Sequence, residues 1–398
     1  MTLASTHAVA LRGLDGQVVE VQCDISAGLP GIYFTGLPDA SVSESRDRLR
    51  AAVHNSGGTW PNRRITVALL PADVRKVGSR FDLAVGVAVL AASGQVPLAP
   101  VAGAAWIAEL GLDGRLRPVT GVLPSVLAAR AAGLRRVVVA TANADEAALV
   151  GDMDVRCADH LSQVLGWLTG EGPAPATVLP GGGNGEAADR PDLADVAGQQ
   201  LAKRALEIAA AGGHHTYLLG TPGSGKTMLA ERLTGLLPPL TDEQSLEVTA
   251  VHSVAGLLGD GARLVRRPPL QAPHHTASAA ALVGGGSHLA RPGAISLAHR
   301  GVLFLDEAPE FATRVLDALR QPLETGRVVL ARGGGAVTYP ARFQLVLAAN
   351  PCACGKRERD CLCAAPVKRR YEQRLSGPLL DRIDLRVRVE PVPHADLF

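Results

Sequence analysis

The 398 residues are 47% hydrophobic but only 3% aromatic, so any core must be built mainly from Ala, Val and Leu. A formal net charge of +2 excludes a globally basic, nucleic-acid-coating protein, and any basic surface must be local. The length predicts two domains. The most apolar window, 83–108, is broken by Gln95, Pro97 and Pro100. Its unbroken part is too short for a bilayer and reads as a buried helix. With no secretory signal at the start, the expectation is a soluble, cytoplasmic protein.

In chain order, a first domain is expected over 1–168. Alternation at 17–23 predicts a strand, and 41–54 has helical spacing with many charges. Strands are predicted at 65–70 and 136–140, with a helix over 120–132 after a glycine turn. This succession predicts a mixed α+β sandwich. A Pro/Gly-rich linker follows over 169–191, and a second domain covers 192–398. Its helix over 199–211 leads into the short apolar run Tyr217-Leu218-Leu219. Further strands are predicted at 301–307 and 343–350. Strands alternating with helices predict a parallel sheet with helices on both faces.

The second domain carries the chemistry. Gly220-Thr221-Pro222-Gly223-Ser224-Gly225-Lys226-Thr227 stands between a predicted strand and a predicted helix over 228–237. That context makes the pattern a phosphate loop for a nucleoside triphosphate, whose backbone N–H groups cradle phosphates at a helix N-terminus. Lys226 would reach the β- and γ-phosphates, and the Thr227 hydroxyl would hold Mg2+. The run ending in Asp306-Glu307 would deliver two carboxylates to the same edge. There Asp306 would serve the magnesium shell and Glu307 would polarise the attacking water. Asn350 ends a neighbouring apolar strand, where its amide could orient that water; alone, it also suits a turn before Pro351.

Four of the six cysteines cluster as Cys352-x-Cys354 and Cys361-x-Cys363. Four thiolates suffice for tetrahedral Zn2+, although single-residue gaps are tighter than usual; redox-sensitive or unliganded thiols are the alternative. Lys356, Arg357, Arg359, Lys368, Arg369 and Arg370 lie nearby and would favour thiolates or touch nucleic acid. Cys23 and Cys157 read as small buried apolar residues.

Several stretches resemble the AAA+ ATPases of the magnesium-chelatase-like group, and specifically the bacterial ComM/YifB family. They are the phosphate loop, Ala272-Pro273-His274-His275-Thr276-Ala277-Ser278, Gly284-Gly285-Gly286-Ser287 and Arg291-Pro292-Gly293. The run from Leu297 to Glu307, Ala349-Asn350-Pro351-Cys352 and Leu375-Ser376-Gly377-Pro378-Leu379-Leu380-Asp381-Arg382-Ile383-Asp384 continue the match. The resemblance implies an AAA+ P-loop sheet with Asn350 as sensor. It makes Arg382 an arginine finger on ATP in a neighbouring subunit, and hence implies a ring, a hexamer. Without the resemblance Arg382 reads as a surface residue paired with Asp381 or Asp384.

The stretch 328–339 resembles a pore-facing β-hairpin, and 274–292 an insertion facing the same pore. Arg327, Arg332 and Arg342 could contact DNA phosphates there, a solvated hairpin face being the alternative. His274 and His275 could ligate metal or simply pack a polar loop. The resemblance also implies a helical lid beyond Phe398.

Glu109 to Leu123 and Pro71 to Gly78 resemble the Lon-protease-type, ribosomal-S5-like fold fused to these ATPases. Ser125 stands where the Lon lysine would be, and Gly78-Ser79-Arg80-Phe81-Asp82 replaces the serine turn. The first domain is therefore expected to be a non-proteolytic accessory module, since a Ser79 nucleophile would lack its base. The functional expectation is an ATP-driven branch-migration helicase in recombination and natural transformation. A protein-remodelling or metal-insertion motor is the rival, and a Lon-like protease a third.

Overall fold

The computed structural model describes residues 2–178, 191–259, 261–286, 290–332, 335–356 and 358–392. The linker residues 181–185, Ser287, Arg357 and the side chain of Arg332 lie outside the described residues. The chain divides into two units, Met1–Asn184 with His252–Leu264, and Gly185–Val251 with Val265–Phe398.

In the first unit, β1 (Thr2–Arg12) and β2 (Asp15–Ser26) pair antiparallel from Thr2↔Ile25 to Arg12↔Asp15. β3 (Gly31–Thr35), β4 (Arg64–Leu70), β5 (Ala104–Ile107), β6 (Arg136–Ala140), β7 (Asp154–Ala158) and β8 (Ala176–Thr177) join them. The order is β8-β7-β6-β5-β1-β2-β4-β3. Parallel steps link β1 to β5, β5 to β6, β6 to β7 and β3 to β4. The expected sandwich is thus one mixed sheet with helices against it. Ala176 and Thr177, expected in the linker, form its edge strand on β7.

Helix α1 (Ala40–Asn55) starts where the Asp39 carboxylate accepts the Val42 N–H at 2.9 Å. A cap of this kind contributes about 1 kcal/mol. Helix α2 (Asp82–Ala92) has every residue buried and packs against β1 and β2. A helix apolar all round must be enclosed, and each buried Leu or Val contributes about 1.5–3 kcal/mol. The rest of the apolar window leaves α2 at Ser93, makes one short helical stretch over Leu98–Ala102 and continues as β5. Its Trp106 is fully buried, with the indole N–H donating to the Val101 carbonyl at 3.0 Å. Helices α3 (Val122–Ala131) and α4 (Leu161–Thr169) complete the unit's main elements.

The second unit contains α5 (Gln200–Gly212), β9 (Thr216–Gly220) and α6 (Lys226–Leu236). β10 (Leu270–Gln271), β11 (Val302–Leu305), the hairpin β12 (Arg327–Arg332) and β13 (Gly335–Pro340), and β14 (Gln344–Ala349) come next. α7 (Ala365–Glu372) and β15 (Leu385–Val389) end the described chain. Five strands form a wholly parallel sheet in the order β10-β11-β14-β9-β15.

β11 and β14 are buried along their whole length, as strands covered on both faces must be. Leu206, Leu218, Leu229, Leu233, Phe304, Val346 and Val387 form the core around them. The one polar residue in β14, Gln344, donates to the carbonyls of Ala209 at 2.9 Å and His214 at 2.8 Å. β15 alternates exposed Arg with buried Val, as an edge strand should. Among the described residues no helix is long and apolar enough to cross a membrane.

Candidate nucleotide site at the carboxyl edge of the parallel sheet

Because the strands are parallel, their carboxyl ends share one edge, with Leu219 beside Ala349, Gly220 beside Val389 and Leu305 beside Leu347. The loops leaving that edge carry Thr221–Gly225, Asp306-Glu307 and Asn350. Gly223 (φ +75°) and Gly225 (φ +92°) take left-handed conformations that side chains resist. At Gly220 a Cβ would lie 2.4 Å from the Val389 carbonyl oxygen, so the close approach of β15 excludes any other residue.

Lys226 opens α6 and is buried, 7% exposed. Its ammonium donates to the carbonyls of Gly220 at 2.8 Å and Thr221 at 3.0 Å, and to the Asn350 amide oxygen at 3.1 Å. Burial pushes its pKa below the ordinary lysine value, opposed by Asp306 and Glu307. The Thr227 hydroxyl donates to Asp306 at 2.7 Å, and the other Asp306 oxygen accepts the Glu307 N–H at 2.8 Å. The Ser224 hydroxyl is buried without a partner among the described residues. A hydroxyl left unpaired, an ammonium held only by neutral oxygens and a Thr–Asp pair fit a triphosphate with its Mg2+.

Glu307 has φ +50°, a left-handed backbone that costs a side-chain-bearing residue about 1–2 kcal/mol. Its carboxylate lies 3.0 Å from His275 Nδ1. His275 in turn stacks on His274 with ring centroids 4.1 Å apart, while His274 Nδ1 meets the Thr276 hydroxyl at 2.8 Å. His275 therefore braces a carboxylate, while His274 packs within its own polar loop. The only group of three or more possible metal ligands among the described residues is the four-cysteine cluster, whose sulfurs lie within 4.8 Å of one another.

Arg382 is absent from this edge. It precedes β15, whose first residue, Leu385, pairs with Thr216 at the start of β9. The length of β9, about 13 Å at 3.3 Å per residue, separates that end from the phosphate loop. Its guanidinium pairs with Glu324 and donates to the Pro378 carbonyl at 2.9 Å. The alternative partners read from sequence, Asp381 and Asp384, are not used; Asp384 accepts the His215 N–H at 2.9 Å.

On the hairpin, Val328, Leu330 and Tyr339 are buried, whereas Arg327 and Val329 are exposed, as is Arg342 just beyond it. Beside the cysteines, Lys356, Arg359, Arg369 and Arg370 are exposed and Lys368 is half-buried.

In the first unit, buried Arg80 donates to the Ser125 hydroxyl at 3.2 Å and the Thr120 carbonyl at 2.7 Å. The Ser79 hydroxyl donates to Glu109. Ser125 is thus met from the 78–82 turn by a guanidinium, which cannot take a proton from serine. Sequence reasoning singled out His275 but missed its pairing with Glu307, and it missed Gln199. The Gln199 side chain donates to the carbonyls of Ser224 at 3.0 Å and Glu390 at 2.6 Å, tying the phosphate loop to the end of β15. Its one local signal is its place immediately before α5, at φ +56°.

Residues 192–397 match the family model described as magnesium chelatase, subunit ChlI, and 21–143 match one described as subunit ChlI of Mg-chelatase. The second unit accordingly contains a magnesium-chelatase-type AAA+ ATPase domain. An uncharacterized protein of Mycobacterium tuberculosis is 55% identical over 98% of this chain and 77% of its own length. Competence protein ComM of Haemophilus influenzae is 45% identical over 100% of this chain and 78% of its own. YifB of Escherichia coli is 44% identical over 99% and 77%. The chain belongs to the ComM/YifB family of magnesium-chelatase-like proteins.

Proposed function

We propose that this chain is the ATP-hydrolysing subunit of a cytoplasmic hexameric ring that acts on branched or single-stranded DNA, as a branch-migration helicase in recombination and natural transformation. The observation that carries the ATPase reading is the meeting of Lys226, Thr227, Asp306 and Asn350 at one sheet edge. Lys226 would exchange its neutral oxygens for the β- and γ-phosphates. Thr227 and Asp306 would hold Mg2+, which when bound neutralises charge on the phosphates. Glu307, released from His275, would orient and polarise the attacking water, and Asn350 would sense the γ-phosphate. Arg382 would act on the triphosphate of the next subunit, which is where a residue at the amino edge could meet one.

The DNA reading draws on the similarity to a competence protein and on the exposed Arg327 and Arg342 near the hairpin. Such contacts would bind phosphates without sequence preference and weaken with salt. In the same reading the first unit is an S5-like, Lon-type accessory module without protease activity, because Ser125, facing a guanidinium, holds the position of the Lon lysine. The magnesium-chelatase family description favours a second reading, a motor that remodels a protein partner or inserts metal.

One assay separates the two. ATP turnover is measured with single-stranded, forked and four-way DNA, together with migration of the four-way junction. Stimulation by branched DNA supports the helicase; indifference to every DNA form sinks it and leaves the remodelling motor.

A further inference from the structure

We propose that Cys352, Cys354, Cys361 and Cys363 hold one zinc ion, and that this metal knuckle buttresses the phosphate loop so that its loading governs nucleotide affinity. The four sulfurs lie within 4.8 Å of one another, with Cys354 Sγ 3.5 Å from Cys361 Sγ. Zinc–thiolate bonds of about 2.3 Å in a tetrahedron place sulfurs about 3.8 Å apart, inside that spread. A disulfide needs about 2.05 Å and would use two of the four, whereas all the cysteines here are free. An iron–sulfur cluster interposes several metal and sulfide atoms and spreads its thiolates wider.

The segment has little else to fold it. Among the described residues of 351–364 only Cys352 is buried, and Leu362 is 93% exposed. Its regular structure is a single turn, Glu358–Asp360. Without apolar burial, a segment of this length needs a cross-link to offset the conformational entropy lost on ordering. Binding costs no redox equivalent: four thiols release protons to solvent as four zinc–sulfur bonds form.

The knuckle sits against the phosphate loop. Gly355, at φ +71°, comes so close that a Cβ there would lie 3.1 Å from Pro222 Cγ. A cavity of about 440 Å³ beside the start of the phosphate loop is lined by Gly220 and Thr221 together with Cys352 and Cys361. Asn350, which meets Lys226, stands two residues before the first thiolate. Fixing the sulfurs therefore fixes the chain that leaves Asn350 and the surface facing Pro222. Loss of the ion would leave both free to move.

The nucleotide half of this proposal rests on the ATP-binding reading above; the metal half does not. The test uses the full chain, purified anaerobically without chelator or metal-affinity resin. Elemental analysis should find about one zinc per chain. Cobalt exchanged into the site should give thiolate-to-metal charge-transfer absorption. Stripping with a mercurial should weaken binding of a fluorescent ATP analogue by about tenfold or more, restored by thiol and zinc.

Cys354→Ser, at an exposed position, should lose both metal and affinity while retaining the far-ultraviolet dichroism of the parent. Less than about a tenth of an equivalent of metal with no cobalt band, or a Cys354–Cys361 disulfide by mass analysis, would overturn the site. Equal affinity with and without zinc would overturn the coupling. If the zinc-loaded chain binds no ATP analogue at all, the ATP reading fails while the metal site stands.

Discussion

The two units set their main polar clusters to opposite uses. In the first, Arg80, Asp82 and Glu146 are buried and committed inward: Arg80 to Ser125 and Thr120, Asp82 to Arg48 at 2.7 Å, Glu146 to the Leu123 N–H at 2.8 Å and to Ser253. In the second, buried Lys226, half-buried Asp306 and exposed Glu307 meet at a sheet edge, and the buried Ser224 hydroxyl has no partner among the described residues. A group already satisfied by its own fold supports structure; one left unsatisfied at an open edge is available to a ligand. Substitutions should therefore separate the units, with activity lost from one and stability from the other.

The largest effect is expected at Arg382. Arg382→Ala should slow ATP hydrolysis on the order of a thousandfold, with melting nearly unchanged. Mixing it with Glu307→Gln subunits should recover activity, and failure to recover at any ratio would argue against shared sites. Lys226→Ala should cost a few hundredfold in turnover and weaken nucleotide binding, measured with a fluorescent ATP analogue.

Arg80→Ala tests the other unit. It leaves Ser125 and Glu146 without their cation and should cost about 3 kcal/mol in denaturant unfolding, while turnover per folded molecule holds. A large loss of turnover with unchanged stability would erase the distinction between the units. Glu307→Gln should keep nucleotide affinity and slow hydrolysis by about a hundredfold, and unchanged turnover would remove its proposed role.

The smallest effect is a difference in pH response. In the second unit, burial holds the pKa of His215 and of His299 below the ordinary value, opposed by Asp384 and Glu247 respectively. Both rings accept a backbone N–H at Nδ1, from Leu345 at 3.0 Å and Arg342 at 3.1 Å. Their folded pKa values lie below the unfolded value of about 6.5, so the unfolded chain takes up protons first. The stability they confer is present above that pH and is lost as pH falls through it.

In the first unit, burial raises the pKa of Asp82, opposed mainly by Arg48, and of Glu146, opposed mainly by Ser253. There the folded state binds protons first, so the contribution is present at low pH and is lost as pH rises through the folded values. Hydrogen exchange at about pH 7 and about pH 5.5 should show the second unit loosening while the first holds. Parallel loosening of both would contradict this.

Much of the second unit was legible because its signals are local. The phosphate loop, the apolar run before Asp306-Glu307 and the strand before Asn350 each announce their own element, and parallel pairing then places their ends together. Contacts that depend on which strands are neighbours were not legible. The His275–Glu307 pair follows from β10 lying beside β11, with Leu270 opposite Val302, which no periodicity reveals. β5 hid inside an apolar window because a buried strand and a buried helix have the same composition. β1 escaped notice because its inward residues, Ala4, Thr6 and Ala8, are too small to make a hydrophobic alternation. The Arg80–Ser125 contact links residues 45 positions apart, through a turn whose side chains look like surface groups.

The register between β9 and β15 works as a ruler. Five paired positions, Thr216 with Leu385 through Gly220 with Val389, hold one half of the proposed catalytic machinery a strand's length from the other. No rotamer change closes that gap, so an isolated chain would carry two incompatible half-sites. Turnover should consequently rise faster than linearly with protein concentration on dilution, and level off once every half-site has a neighbour.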